Sequence, residues 1–318
     1  MARLKVMLCV ALFVLPGGCA ERQDDGSWPA RNITIIVPFK PGGGFDLQAR
    51  LLAPFLEKYL PNKINVVIEN VAGAGGKMAA VQLARSAPDG YTISLIGLES
   101  IAFMHAAGQL TEDPQQWSWL GQLGSDPLLL AAGSTSGLKS PADMKGKDFR
   151  FGVTSEILPS AAILCKALGA RFRPVLFDGS GDVVLAGMRG DVDTWAFSWP
   201  TSIKGVRDSQ GKMVSLFVVN KTRLPSISEV PALAELGVEA EAGVYAVGAV
   251  SRVIAAPAGL EPKTREILIS AIDRTVHDAG FIEQMKHAEF EVVTGPPDAI
   301  RAKIKAAVEE FTRAGITQ

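Results

Sequence analysis

Apolar runs of strand length alternate along the chain with segments that have helical periodicity. Nine runs rich in Val, Ile, Leu and Phe predict strands, at residues 33–37, 64–69, 92–96, 128–132, 149–153, 174–177, 192–195, 214–219 and 244–250. Helical stripes fall between many of these runs, and residues 262–279 and 297–314 predict amphipathic helices. Strands that alternate with helices predict an α/β fold whose sheet is mostly parallel.

Two glycine-rich segments occupy equivalent positions, each between a predicted strand and the helix that follows it. They are residues 41–46 (PGGGFD) and 72–76 (AGAGG). A glycine turn that opens a helix brings the backbone close to a ligand and exposes N–H groups that favour an anion. A single turn of this kind is usually only a turn. Two of them after adjacent strands would face one crevice, which predicts a binding site for a small anion.

Length and charge limit the classes of function. A chain of 318 residues is long enough for one large or two medium domains, and its formal net charge of -1 provides no global attraction for nucleic acid or an acidic membrane. Only Cys165 remains inside the predicted fold once the N-terminal cysteines are set aside, so no disulfide framework is expected. Its apolar helical context predicts a small core residue.

The first 19 residues have the layout of a secretory signal. Arg3 and Lys5 precede an apolar run that is too short to span a bilayer, and small residues then lead to Cys19. This ending resembles a bacterial lipobox and predicts a lipid anchor on Cys19. Cleavage after Ala20, which would release a free protein, is the alternative. Both interpretations place the mature chain in the periplasm or on the outer face of a membrane.

Longer motifs then identify a family resemblance. They are residues 32–46 (NITIIVPFKPGGGFD), 66–76 (VVIENVAGAGG), 87–92 (APDGYT), 187–193 (GMRGDVD), 230–237 (VPALAELG) and 255–259 (AAPAG). In this order they resemble the substrate-binding proteins of tripartite tricarboxylate transporters, the Bug or TctC-like family. The resemblance implies a type II periplasmic-binding fold, with two α/β lobes around a ligand cleft. It also implies a monomer without cofactor or metal that delivers a small organic carboxylate to a membrane permease.

The resemblance also implies lobe boundaries, because the chain of such proteins crosses between the lobes twice. Lobe I would combine residues 28–126 with 248–318, and lobe II would span residues 127–247. Residues 117–126 and 244–251 would then be the hinge passages. Closure of the lobes on the ligand would report that the cleft is occupied.

The chemistry expected of lobe I follows from its two glycine turns. A carboxylate between two helix N-termini would accept charge-assisted bonds from backbone N–H groups. The candidate ligand-binding residues there are Phe39, Pro41, Gly42, Gly43, Gly44, Phe45, Asp46, Ala74, Gly75 and Gly76. Asp46 is interpreted as an N-cap that holds the first turn, and Arg50 as an ion-pair partner rather than a ligand contact. Lys40 and Lys77 would add positive potential.

Lobe II departs from the family pattern. The segment after the 149–153 strand lacks the usual glycines, and Asp178 stands where relatives commonly carry lysine. Glu156 adds a second acid, so a second carboxylate on the ligand would be disfavoured. The hypothesis is a ligand with one carboxylate and a neutral, hydroxylated or amino-bearing end. The candidate contacts are Thr154, Ser155, Ser160, Asp178 and Asp191; the alternative is that Asp178 and Glu156 face solvent.

Other classes of function have less support in the sequence. No Walker spacing, Gly-x-Ser-x-Gly elbow or metal-ligand spacing is present, and His105, His277 and His287 are far apart. An enzyme is therefore not expected. A sensor accessory that docks on a membrane kinase would use the same binding chemistry with a different partner. Trp195 and Trp199 are expected in the core, with a place in the cleft wall as the alternative.

Overall fold

The structure is a computed structural model that describes residues 28–238 and 242–315. The predicted signal segment 1–19 and its lipid-acceptor Cys19 therefore lie outside the described residues. Within the described ranges, no helix combines the length and the apolar character needed to cross a bilayer.

Nine strands and ten α-helices make up the described part of the chain. The strands are β1 (Ile33–Val37), β2 (Val66–Asn70), β3 (Thr92–Gly97), β4 (Ser118–Gly133), β5 (Asp148–Val153), β6 (Arg171–Leu176), β7 (Thr194–Ser198), β8 (Met213–Val218) and β9 (Ala249–Ala256). The helices are α1 (Gly44–Tyr59), α2 (Lys77–Arg85), α3 (Leu98–Ala106), α4 (Leu158–Ala167), α5 (Ser180–Arg189), α6 (Trp199–Asp208), α7 (Ala242–Val247), α8 (Pro262–Val276), α9 (Ala279–His287) and α10 (Pro297–Ala314).

The strands form two α/β lobes that share β4. In lobe I the order is β2-β1-β3-β9-β4, and in lobe II the order continues β4-β7-β5-β6, with β8 also paired to β4. Residues 118–127 of β4 pair with β9, whereas residues 128–133 pair with β7 and β8. One long strand thus carries the chain from one lobe to the other. The α/β architecture with two lobes is the predicted fold class.

The expectation of a mostly parallel sheet is wrong. Strand β1 is parallel to β2 and β3, and β5 is parallel to β6 and β7. The other four described pairings, β3 with β9 and β4 with β7, β8 and β9, are antiparallel. All four antiparallel pairings involve β4 or β9. Strand β4 leads the chain from lobe I into lobe II, and β9 leads it back, so the two strands run in opposite directions.

The core of lobe I explains why its parallel strands were visible in the sequence. The side chains of Ile33, Ile35, Ile36 and Val37 in β1 are all fully buried. Helices cover both faces of such a strand, so its sequence is a continuous apolar run. Helix α1 buries Leu52 and other residues of one stripe in the same core.

The predicted strand at 244–250 is wrong. Residues 242–247 form helix α7, and the strand begins only at Ala249 and continues to Ala256. A short apolar run does not distinguish a buried helix from a strand by periodicity alone. Gly248 separates the two elements, and an added Cβ there would collide with the side chain of Val219.

The predicted helix at 262–279 corresponds to α8, which ends at Val276, and a further helix, α9, begins at Ala279, where the prediction stops. Asp278 caps α9, since its carboxylate accepts hydrogen bonds from the N–H groups of Gly280 and Phe281. Such an N-cap requires non-helical backbone, so the first helix ends before the predicted residue 279.

Candidate functional site

The two glycine turns lie side by side at one end of lobe I. Val37, the last residue of β1, is opposite Asn70, the last residue of β2. The N–H of Val71 donates to the carbonyl of Val37 at 2.8 Å, and a Cβ on Gly76 would lie 3.2 Å from Cβ of Pro38. The prediction that the turns follow adjacent strands is confirmed.

The first turn leads directly into α1, whose N-terminus has no side-chain cap. Gly43 is the N-cap residue in an extended conformation, and Gly44 is the first helical residue. The helix therefore presents first-turn N–H groups without a side-chain acceptor at the carboxyl end of β1. Phe39 and Phe45 flank this turn, with their ring centroids 4.9 Å apart. Pro41, Gly42 and Gly43 are exposed.

Asp46 is not the N-cap of α1 but the third residue of the helix, within its first turn. Its carboxylate accepts hydrogen bonds from the N–H of Gly42 at 2.9 Å and from Nδ2 of Asn70 at 3.0 Å. Arg50 donates two more, at 2.9 and 3.0 Å. The bonds from Arg50 are the main cause that lowers the pKa of Asp46 to about 2. Asp46 therefore holds the turn in shape, and Arg50 is an ion-pair partner as predicted.

The second turn has an unusual backbone. Gly73, Gly75 and Gly76 have φ values of 145°, 63° and 100°, and Ala74 has a φ of 47° although it carries a side chain. Glycine tolerates this left-handed region, whereas other residues rarely adopt it. The turn forms a short 3-10 segment, Ala74–Gly76, that leads into α2.

Lobe II approaches the second turn closely. A Cβ on Gly75 would lie 3.1 Å from Oγ of Ser155, which follows β5. The carboxyl ends of β5 and β6 are adjacent, with Val153 opposite Leu176, so this edge of lobe II faces the glycine turns. The loops at the carboxyl ends of both sheets thus form the two sides of one cleft.

The other lobe II candidates have different surroundings. Thr154 directs a buried hydroxyl that has no partner among the described residues, and Ser160 is buried in the first turn of α4. Asp178 is exposed. The expectation for Asp191 is wrong, because it precedes β7 at the opposite end of the sheet and pairs with Arg189 at 2.7 Å. Thr194 pairs with Phe151, so Asp191 lies near the beginning of β5, not its end.

Glu156 extends across the cleft to lobe I. A Cβ on Gly97, at the end of β3, would lie 3.2 Å from Oε1 of Glu156. Within the described residues, no hydrogen-bond donor reaches this carboxylate. Burial raises the pKa of Glu156 to about 7, with Glu99 adding to the increase and Arg252 opposing it. The idea that Glu156 faces solvent is therefore not supported.

The sequence interpretation missed a buried ion pair at the base of the cleft. Arg252 of β9 and Asp126 of β4 are 3% and 1% exposed and form a direct salt bridge. The guanidinium lies 5.0 Å from the ring centroid of Phe45, and Nε of Arg252 and Oδ1 of Asp126 have no hydrogen-bond partner in the described part. The sequence does contain an indication of this pair, because Arg252 interrupts the apolar run 249–256 and a buried charge needs a partner.

Glu99 is a second acid that the sequence interpretation missed. It lies in the first turn of α3, is 7% exposed and accepts a hydrogen bond from the N–H of Ser251 at 2.8 Å. Burial raises the pKa of Glu99, whereas the bond from Ser251 opposes that increase. The cleft floor thus holds one buried cation, Arg252, close to three acids, Glu99, Asp126 and Glu156.

A cavity of about 530 Å³ lies between the lobes beside the second glycine turn. Gly75, Lys77 and Phe103 contribute from lobe I, and Glu156, Leu158 and Leu176 contribute from lobe II. This volume is typical of sites for small molecules. Of the predicted ligand-binding residues, Ala74, Gly75 and Ser155 line it. Those that do not line it are Phe39, residues 41–46, Gly76, Thr154, Ser160 and Asp178.

Neither a metal centre nor a reactive thiol is found in the described ranges. No group of three or more His, Cys, Asp or Glu side chains there is arranged to hold a metal ion. Cys165 is buried in α4, and burial raises the pKa of its thiol to about 12. It is a core residue, as predicted. Trp195 and Trp199 are both buried in the core, as expected, and Trp199 also lines a second groove between α6 and α9.

Known proteins resemble this chain over almost its whole length. Protein BugT of Bordetella pertussis is 27% identical, and the alignment covers 96% of this chain and 95% of the relative. The MatC protein of Rhodopseudomonas palustris, solved with bound malate, superposes with a TM-score of 0.75 at 23% identity, covering 90% of this chain and 99% of that one. An R. palustris protein solved with adipate superposes with a TM-score of 0.76 at 23% identity, covering 92% and 98%.

The sequence profile of one family matches most of the chain. Its description is "Tripartite tricarboxylate transporter family receptor", and the matched residues are 49–131 and 145–315. These ranges include the second glycine turn, the segment around Glu156, β9 and all but the last two residues of β4; the first glycine turn precedes them. The chain therefore belongs to the tripartite tricarboxylate transporter receptor family.

Proposed function

We propose that this chain is an extracytoplasmic solute-binding protein that holds a small carboxylate in the cleft and delivers it to a permease of the tripartite tricarboxylate type. The observation that carries the proposal is the pair of glycine turns, side by side and next to two helix N-termini without side-chain caps. Backbone N–H groups at helix N-termini bind anions without a fixed cation. Membership in the receptor family supports the same function.

The expected binding site combines residues from both lobes. The first-turn amides of α1 and the amides of Ala74 and Gly75 hold the carboxylate, and the segment around Ser155 closes over it. The proposed lobes are residues 28–126 with 248–318 and residues 127–247. The change of β4 partners between Pro127 and Leu128, one residue after the proposed boundary, supports this division. The protein acts as a monomer in the periplasm and does not catalyse a reaction; an anchor on Cys19 is part of the proposal.

A matched ligand panel tests whether the cleft recognises a carboxylate. The panel contains hexanoate, benzoate, malate, adipate and citrate, and each acid is compared with its neutral amide. The measurement is the thermal unfolding of the protein. At one hundred times the dissociation constant, a ligand stabilises the folded state by about 2.7 kcal/mol. At least one acid should stabilise the protein while its amide does not. Equal stabilisation by acids and amides, or by none of the compounds, would contradict the proposal.

Two substitutions at Gly44 test whether the first turn donates a backbone N–H. Proline is tolerated at the first position of a helix, and the extended Gly43 before it is compatible with proline. Gly44→Pro removes the N–H, whereas Gly44→Ala keeps it and places a Cβ 3.5 Å from Phe290, an ordinary contact. For an acid that stabilises the wild-type protein, we expect Gly44→Pro to reduce the binding affinity by about tenfold or more and Gly44→Ala to reduce it by less than about threefold. Equal affinities of both variants, measured by calorimetry, would show that this N–H does not bind the ligand.

A further inference from the structure

The cavity between the lobes has charged and apolar ends. Lys77 and Glu156 are its charged lining residues, and both lie beside the second glycine turn. The rest of the lining is mostly apolar, with Ser100 and Gln109 as its polar members; the apolar residues are Phe103, Met104, Leu158, Pro159, Ala162 and Leu176. A cavity of this composition matches an amphipathic molecule better than a polar one.

Lys77 is available to a ligand. It is the first residue of α2, and within the described chain its ammonium group forms no ion pair or hydrogen bond. By contrast, Arg50 is already paired with Asp46 and Arg252 with Asp126. Lys77 is thus a cation at the cavity wall whose charge is not already neutralised by an internal acid.

Leu176 provides a large apolar surface at the opposite wall. It ends β6, and 61% of its surface is exposed. A single exposed leucine is ordinary, but Leu176 lines the same cavity as Phe103 and Leu158. A ligand that covers these side chains gains hydrophobic free energy in proportion to the area removed from water.

We propose that the ligand is a monocarboxylate with an aliphatic or aromatic body. Its carboxylate lies between the two glycine turns, with Lys77 beside the second turn, and its hydrocarbon body lies against Phe103, Leu158 and Leu176. This inference rests on the proposed carboxylate-binding function and specifies the class of substrate. It replaces the expected hydroxylated or amino-bearing end, because the hydroxyls of Thr154 and Ser160 do not line the cavity and Ser155, which does line it, lies beside the second glycine turn.

The apolar part of the cavity makes the site unfavourable for a second carboxylate. A dicarboxylate held at the glycine turns would place its second charge among Phe103, Leu158 and Leu176. Burial without a partner is costly for a carboxylate. Glu156 lies beside the second turn itself, so it repels the first carboxylate of every acid alike and does not distinguish monocarboxylates from dicarboxylates.

A six-carbon series tests this inference with the carboxylate end held constant. The probes are hexanoate, its ω-hydroxy and ω-amino derivatives, and adipate, with isothermal titration calorimetry at pH 8. We expect hexanoate to bind about tenfold or more tightly than adipate, with the ω-hydroxy compound between them. The ω-amino compound is expected to bind more weakly than hexanoate, because its ammonium loses hydration among apolar side chains.

Two exposed leucines provide a matched pair of variants. Leu176→Ser removes apolar surface from the cavity, whereas Leu185→Ser changes a leucine that is 51% exposed on α5 and does not line it. We expect Leu176→Ser to reduce the affinity for hexanoate by about fivefold and Leu185→Ser to reduce it by less than about twofold. Glu156→Gln should strengthen the binding of hexanoate and of adipate by similar factors, since it removes a charge beside the carboxylate that both acids share.

The outcomes separate this inference from the proposed function. Tighter binding of adipate or of the ω-amino compound than of hexanoate would overturn the apolar-body inference while confirming carboxylate binding. The same conclusion follows if only malate or citrate binds in the wider panel. Equal effects of the two leucine variants would also overturn it. If none of the acids binds at all, the proposed function fails together with the inference.

Discussion

Asp46 and Glu156 are both carboxylates at the cleft, yet their surroundings are opposite. Asp46 accepts four hydrogen bonds and has its pKa lowered to about 2, chiefly by Arg50. Glu156 accepts none within the described part of the chain, and burial raises its pKa to about 7. The first acid stabilises the turn that presents backbone N–H groups. The second is a buried carboxylate without a hydrogen-bond donor among the residues described, at the contact between the two lobes. A perturbed acid in a cleft is typical of a residue that acts on a ligand.

The largest expected effect comes from Arg252, the cation near Glu156. Arg252→Met leaves Asp126 as an unpaired buried charge, so we expect a loss of about 3–5 kcal/mol in the free energy of unfolding at pH 7. Urea denaturation measures it. The double variant Arg252→Met with Asp126→Leu should recover most of the loss, because it buries no charge. A double variant as unstable as the single one would show that the ion pair itself stabilises the base of the cleft.

Asp46→Asn is expected to have the next largest effect. The amide cannot accept all four bonds, so the free energy of unfolding should fall by about 2 kcal/mol at pH 7. Because the pKa of Asp46 is lowered, this contribution is present above its ordinary pKa of 3.8 and is lost as the pH falls towards about 2. The control is Asp89→Asn, which breaks an exposed pair with Arg31. Equal losses in the two variants would refute a special role for the Asp46 bonds.

Glu156→Gln should stabilise the protein, in contrast to Asp46→Asn. The raised pKa of Glu156 means that the wild-type protein loses stability as the pH rises from 4.5 to about 7. Removing the charge should therefore gain about 1–3 kcal/mol at pH 8 and nothing at pH 4. Thermal unfolding at the two pH values checks this. The control is Glu283→Gln, at an exposed position on α9. An equal gain in stability there would show that the gain from Glu156→Gln does not come from the burial of Glu156 between the lobes.

The smallest effect is expected at Asp178, a third acid near the cleft. Since Asp178 is exposed at the end of lobe II, Asp178→Asn should change the free energy of unfolding by less than about 0.5 kcal/mol. Its affinity for hexanoate should stay within about twofold of the wild-type value. A larger change in affinity would place Asp178 at the ligand and revive the sequence interpretation.

Some elements were predictable to the residue, and others were not. The bounds of β1 and α10 match the predicted ranges 33–37 and 297–314, because a strand buried on both faces and an amphipathic helix each have a local pattern. The first half of β4 was expected only as a hinge passage. It contains glycines and polar residues and is a strand because it pairs with β9, more than a hundred residues later.

The candidate site divides in the same way. The glycine turns were predictable, since glycines after a strand and before a helix form a local signal, and β1 and β2 proved to be neighbours. The partners of each acid were not predictable. Asn70 reaches Asp46 from another strand, and Glu156 reaches Gly97 from the other lobe. Asp191 was assigned from a motif that carries no information about which end of the sheet it occupies.

The amino-acid sequence by itself determined the α/β class, the paired glycine turns and the family, because all three depend on residue order over short distances. Only the tertiary structure decided which acid is neutralised by hydrogen bonds, which one remains unpaired, and where an apolar cavity opens beside Lys77. Those properties depend on burial and on contacts between segments that are far apart in the chain, since hydrogen-bond partners and loss of solvent set the free energy of a charge.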